Sequence, residues 1–144
     1  MGIMRKQQGG FTLLEVLIVV AILGIVSALA YNSYTRQADD SRRSDAASML
    51  VNAAQQLERC YTRVHTYDVD NVEECNDLPD ESPGGHYRLN SELDTNTFTV
   101  TAVPQGVQAE RDAQRCAFLA LDHTGRRTAE DGDGNEAVDE CWRG

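Results

Sequence analysis

The chain has 144 residues and a formal net charge of −10, from 13 Lys and Arg against 23 Asp and Glu. That length allows one small domain with an appendage, and so acidic a surface repels phosphate backbones, which makes nucleic acid an unlikely ligand. The four cysteines form no CxxC, and His65, His86 and His123 stand at no ligand-like spacing, which argues against zinc.

The first ten residues, MGIMRKQQGG, carry two cations, Arg5 and Lys6. Glu15 then precedes a charge-free apolar run over 16–35. About 20 such residues suffice for a helix to cross a hydrocarbon core of about 30 Å. Positive charge upstream holds a short tail in the cytoplasm, so the remainder is expected outside it. An ordinary secretory signal is cut after its apolar region. Here the small-residue junction, Gly10 to Phe11, comes before that region, and cleavage there would leave the apolar helix on the mature chain.

The string GG-FTLLEVLIVVAILGI resembles the N-terminus of a type IV prepilin. The resemblance implies cleavage between Gly10 and Phe11 by prepilin peptidase, N-methylation of Phe11, and assembly with other pilin subunits through the N-terminal helix. Glu15 can also be read physically. A carboxylate inside an apolar helix costs roughly 2.5–3.5 kcal/mol near a bilayer centre and less near the interface. Among packed helices, the Phe11 amine of an adjacent subunit would compensate it and select one axial register. Many type IV pilins carry a proline where this chain has Asn32, which leaves Gly24 as the weak point of the helix.

From residue 36 the helix is expected to continue as an amphipathic one. Ala47, Leu50, Ala54, Leu57, Tyr61 and Val64 recur at helical spacing. Arg42 and Arg43 are expected to pair with Asp39, Asp40 and Asp45 on the same surface. Residues 66–85 turn to Asp, Asn, Glu, Gly and Pro and read as a loop. Three strand signals follow, at 86–93, 97–103 and 116–121, with a hairpin turn at 94–96 and a turn at 123–127. The expected fold is α+β, a long N-terminal helix on a small antiparallel sheet of about three strands, as in the pilin fold that the N-terminus resembles. The expected organisation is a leader at 1–10, a transmembrane or filament-core helix at 11–35 and an exported globular domain at 36–144.

Cys60, Cys75, Cys116 and Cys141 all lie beyond the apolar run, and an even count in an oxidising compartment favours two disulfides. Three connectivities are open. Cys60 with Cys75 and Cys116 with Cys141 is preferred, since the first closes a loop off the helix and the second ties the tail to a strand.

Residues 116–125, CAFLALDHTG, with the late Cys141-Trp142, are similar to the C-terminal region of PilE-like minor pilins. Asp131, Asp133, Asn135 and Asp139 place oxygen ligands at alternate positions among glycines, as a calcium loop does. Glu136 stands where an EF-hand needs glycine, and Trp142 where it needs its bidentate glutamate, so a solvated acidic loop is preferred over calcium. No cofactor is otherwise called for. No GxSxG, P-loop or HExxH occurs, and the chain is not expected to be an enzyme.

The resemblance implies a structural subunit, a minor pilin of a type IV pilus, serving roles such as motility, adhesion or DNA uptake. It would be held first in the bacterial inner membrane with its globular domain in the periplasm, then in the filament. The alternatives are a pseudopilin of a type II secretion system and a pilus-borne DNA-uptake receptor. For the last, the arginines at 42–43, 111, 115 and 126–127 are the candidates, and the net charge opposes it.

Overall fold

A computed structural model of the chain describes residues 10–68 and 77–143. The chain divides into two compact units, residues 1–36 and 37–144. Helix α1 spans Leu13–Val64. It starts where Thr12 accepts the Glu15 amide on its hydroxyl at 3.2 Å, satisfying one of the four amides that a helix start leaves without a partner. It stops at His65, a non-glycine residue in the left-handed region at φ 57°.

In the first unit, the helix is apolar on every side and its large hydrophobic side chains from Leu13 to Leu29 are exposed. A helix that is hydrophobic all round calls for a partner on all sides, such as lipid or other helices.

In the second unit, four strands form an antiparallel meander in the order β1-β2-β3-β4. They are β1 (Tyr87–Leu93), β2 (Phe98–Pro104), β3 (Phe118–Asp122) and β4 (Arg127–Glu130). Two short helices, α2 (Val107–Asp112) and α3 (Val138–Cys141), flank β3 and β4 in sequence. Register follows Thr101 opposite Asn90 on one side and Ala120 on the other. Alternation puts Phe98, Val100 and Ala102 inward and the threonines between them outward.

The core joins the later part of α1 to that inner face. Ala46, Met49, Leu50, Ala53, Leu57 and Cys60 of α1 cluster with Tyr87, Phe98, Val100, Leu119 and Leu121. Each large side chain buried in this way contributes about 1.5–3 kcal/mol. The buried stripe differs from the expected one. Met49, Ala53 and Cys60 belong to it, whereas Val64 is exposed and Ala47 is only half-buried. The sheet also has a fourth strand: residues 123–126 form the turn, and Arg127 begins β4 rather than ending the turn. Helices α2 and α3 are likewise additions to the expected elements.

Candidate functional site

At the N-terminus, Gly10 and Phe11 precede the helix in non-helical backbone, and both are exposed. The Thr12-Leu-Leu-Glu15 string is the sequence signature of a capping box, a signal that the sequence reading passed over. Glu15 therefore sits in the first turn of α1, where its negative charge is favourable beside the unpaired amides. Glu15 is exposed, as are the apolar side chains that follow it.

In the globular unit, the buried chemistry is polar and unanticipated. Asp112, at the end of α2, is fully buried and accepts from Arg43 Nη2 at 2.5 Å, Tyr87 Oη at 2.6 Å and Gln108 Nε2 at 2.7 Å. Burial by itself would push the Asp112 carboxyl up, but the hydrogen bonds from Arg43, Tyr87 and Gln108 outweigh it and hold the group below the ordinary carboxylate range. Burial, reinforced by the bond to Asp112, pushes the Tyr87 phenol well up. Arg42 and Arg43 do reach Asp39 and Asp40, at 3.6 and 3.1 Å, as expected of one helix surface. Among the described residues Asp45 joins no ion pair, and the principal partner of Arg43 is Asp112, 69 residues away. Arg111 and Arg115 form no joint basic patch: Arg111 binds Asp39 at 3.0 Å and Arg115 binds Glu140 at 2.6 Å.

Cys116 and Cys141 form a disulfide across a Cα separation of 5.8 Å, tying α3 to the start of β3. Cys60 is disulfide-bonded and buried on α1. The preferred partner, Cys75, lies outside the described residues.

The acidic loop has an internal explanation. Asp131 Oδ1 accepts the amides of Asp133 at 2.9 Å and Asn135 at 2.8 Å, and the Asn135 side chain donates to the same carboxylate. The Asn135 bonds lead in holding the Asp131 carboxyl below its ordinary range. Gly134 takes φ 82°, and a Cβ on Gly132 would lie 1.9 Å from the Ala113 carbonyl oxygen. Both glycines thus serve the turn and its close approach to the end of α2. Asp139 lies on α3, and among the described residues no three His, Cys, Asp or Glu side chains converge as a metal group. The four oxygen residues read as calcium ligands are therefore not assembled as a set.

The histidines are dispersed. His65 and His123 stand at the two ends of an aromatic row, His65–Tyr61–Tyr67–Phe98–His123, with centroid steps of 6.3, 4.4, 4.9 and 6.4 Å. Within it, burial and then the hydrogen bond to Glu58 push the Tyr67 phenol up to about 12. Along α1, two adjoining hollows of about 450 and 290 Å³ share Val51 and border the turn at 123–126 and Arg127 with Trp142. Residue spacing gave no sign of them, because they arise where a helix meets a hairpin 65 or so residues later in the chain.

Comparison with known proteins bears on these features. Residues 32–120 match the family described as "Type IV minor pilin ComP, DNA uptake sequence receptor", and residues 5–31 match the prokaryotic N-terminal methylation motif. The type IV major pilin protein PilE1 of Neisseria gonorrhoeae is 25% identical over 122 residues, 85% of this chain and 74% of that one. A fimbrial protein of Pseudomonas aeruginosa is 45% identical over 53 residues, 35% of this chain. That match spans about a third of the relative's own length, 34%. The crystal structure of the non-core minor pilin PilV from Neisseria meningitidis superposes with a TM-score of 0.54 at 20% identity, over 69% of this chain and 93% of that one, a likeness of fold.

Proposed function

Because this chain belongs to the type IV pilin family, we propose that it works as a minor subunit of a type IV pilus. Prepilin peptidase would cut it between Gly10 and Phe11, removing 1–10, and Phe11 would be methylated. The helix over 11–35 would lie first in the bacterial inner membrane, with the globular part from residue 36 in the periplasm, and then in the filament core. The observation that carries this reading is a small-residue junction immediately before a capped, wholly exposed apolar helix. Glu15 and the new Phe11 amine of a neighbouring subunit would fix the axial register, since any other offset leaves a charge unpaired in a low-dielectric bundle.

The alternative of a secretion pseudopilin gains no support from the acidic loop, where Asp131 accepts the amides of its own turn and, among the described residues, no three His, Cys, Asp or Glu side chains converge as a metal group. The DNA-receptor alternative is supported by the description of the matching family, and is opposed by the net charge of −10.

Mass spectrometry of protein recovered from filaments is expected to find a mature chain beginning at N-methylated Phe11. Retention of Arg5 and Lys6 would overturn the assignment. Glu15→Ala is expected to leave membrane insertion intact, because it removes a charge from an apolar helix, while depleting the subunit from sheared filaments. Unchanged incorporation of that variant would defeat the register argument alone.

A further inference from the structure

The smaller of the two hollows along α1 differs in chemistry from the acidic surface around it. Its walls come from Ser44, Ser48, Val51 and Asn52 of α1, from Arg127 at the start of β4 and from Trp142 just after α3. Among the described residues no Asp or Glu lines it, and Arg127 is its one cation. In a chain of net charge −10, a concave site with a guanidinium and no carboxylate is where an anion is least repelled.

The polar groups of this hollow are uncommitted. Among the described residues, the side chains of Ser44, Ser48 and Asn52 make no hydrogen bond, and the Arg127 guanidinium makes neither a hydrogen bond nor an ion pair. Positions 44, 48 and 52 follow one helix face at steps of about 6 Å along the axis. Arg127 is held over the Trp142 ring at 5.0 Å, and the indole is itself fixed by its bond to the Thr128 carbonyl. A planar guanidinium placed in advance loses less freedom when it engages a carboxylate.

Size and surroundings narrow the ligand. About 290 Å³ lies at the lower edge of what ligand pockets occupy, roughly 300–1,000 Å³, so the hollow suits one small ring. The adjoining larger hollow, which shares Val51, sets Glu58 and Asp122 against Arg59 alone. A second anion there meets like charge. A polyanion with a charge on every unit is therefore disfavoured, whereas a neutral, hydroxyl-bearing extension finds Gln55 and Thr124.

We propose that the smaller hollow binds a carboxylate-bearing sugar at the end of an otherwise neutral glycan. The carboxylate takes the Arg127 fork, a charge-assisted and directional pairing. Ser44, Ser48 and Asn52 both donate and accept, as the hydroxyls of a sugar ring require. Val51 and the Trp142 indole supply apolar surface for the ring's C–H groups, and the neutral remainder runs into the larger hollow. The site lies wholly in the globular unit, so it does not depend on how the apolar helix is used.

The test is calorimetric titration of the full-length chain in a zwitterionic detergent that carries no sugar. The acid-capped probes are sialyllactose and glucuronosyl-glucose, and the controls are lactose, free glucuronate and oligogalacturonate. At least one acid-capped glycan is expected to bind with a Kd of about 1 mM, and lactose and free glucuronate about tenfold more weakly. Arg127→Gln is expected to weaken the acid-capped glycan about tenfold and to leave lactose unchanged, a selectivity that misfolding does not give. Ser48→Ala with Asn52→Ala is expected to weaken the acid-capped glycan and free glucuronate alike. No binding of either acid-capped glycan up to about 10 mM would overturn the proposal. So would lactose or free glucuronate binding as tightly, or Arg127→Gln weakening lactose equally. Tighter binding of oligogalacturonate or of a short DNA duplex would assign the hollow to a polyanion and overturn it as well.

Discussion

Asp112 satisfies three donors while fully excluded from water, so its charge is the keystone of the polar interior. Asp112→Asn keeps the volume but leaves Arg43, 1% exposed, with only the half-exposed Asp40 as a charged partner. Breaking a buried pair by removing one member costs about 3–5 kcal/mol, and urea unfolding of the globular unit should register a loss of that size. The pH dependence has a definite sign. Because the folded carboxyl titrates below its ordinary value of 3.8, its stabilisation is complete above that value and is lost as pH falls through the folded one. Acid unfolding should therefore steepen below about pH 4 in the wild type, and the variant should lack that part of the slope. The local pairs of Arg42 and Arg43 with Asp39 and Asp40 were legible because three residues along a helix means adjacency. Asp112 was not, since a partner brought in by folding leaves no mark in spacing.

At the scale of elements, Gly132 decides how the acidic loop sits. An alanine there would drive its Cβ to 1.9 Å from the Ala113 carbonyl oxygen, a backbone atom that cannot swing aside. Gly132→Ala should therefore destabilise by about 1–3 kcal/mol, readable as a lowered melting midpoint that calcium does not restore. Glycine at that position reads from sequence as calcium-loop chemistry, and only the approach of α2 reveals it as a packing requirement. The longer elements were legible for the opposite reason. Helix α1 and strands β1 and β2 carry their periodicity within the segment, as does the alternation of Phe98, Val100 and Ala102. Strand β4 is Arg-Thr-Ala-Glu, with only Ala129 buried, and α2 is six residues with no apolar stripe. Four residues with one inward side chain cannot announce a strand; β3 recruits them by backbone pairing.

On the scale of the whole molecule, a globular unit beginning at residue 37 buries only a modest core, and the Cys116–Cys141 link contributes what further apolar area would in a larger domain. Replacing both cysteines by serine should cost about 2–5 kcal/mol. In a domain of roughly 100 residues that lowers the thermal midpoint by about 10 °C or more, which calorimetry would detect. The division of labour between an apolar helix and a stapled α+β unit was legible from charge-free length and cysteine placement. The pairing of Arg43, Arg111 and Arg115 with carboxylates far along the chain was not, because it depends on which charges folding brings together. The smaller hollow has an optical consequence. Trp142 is the chain's one tryptophan, and its indole is fixed by a 3.1 Å bond to the Thr128 carbonyl beneath the Arg127 guanidinium. Indole emission responds to local polarity and nearby charge, so the ultraviolet fluorescence of the unlabelled protein carries a single-site signal from the seam between α3 and β4.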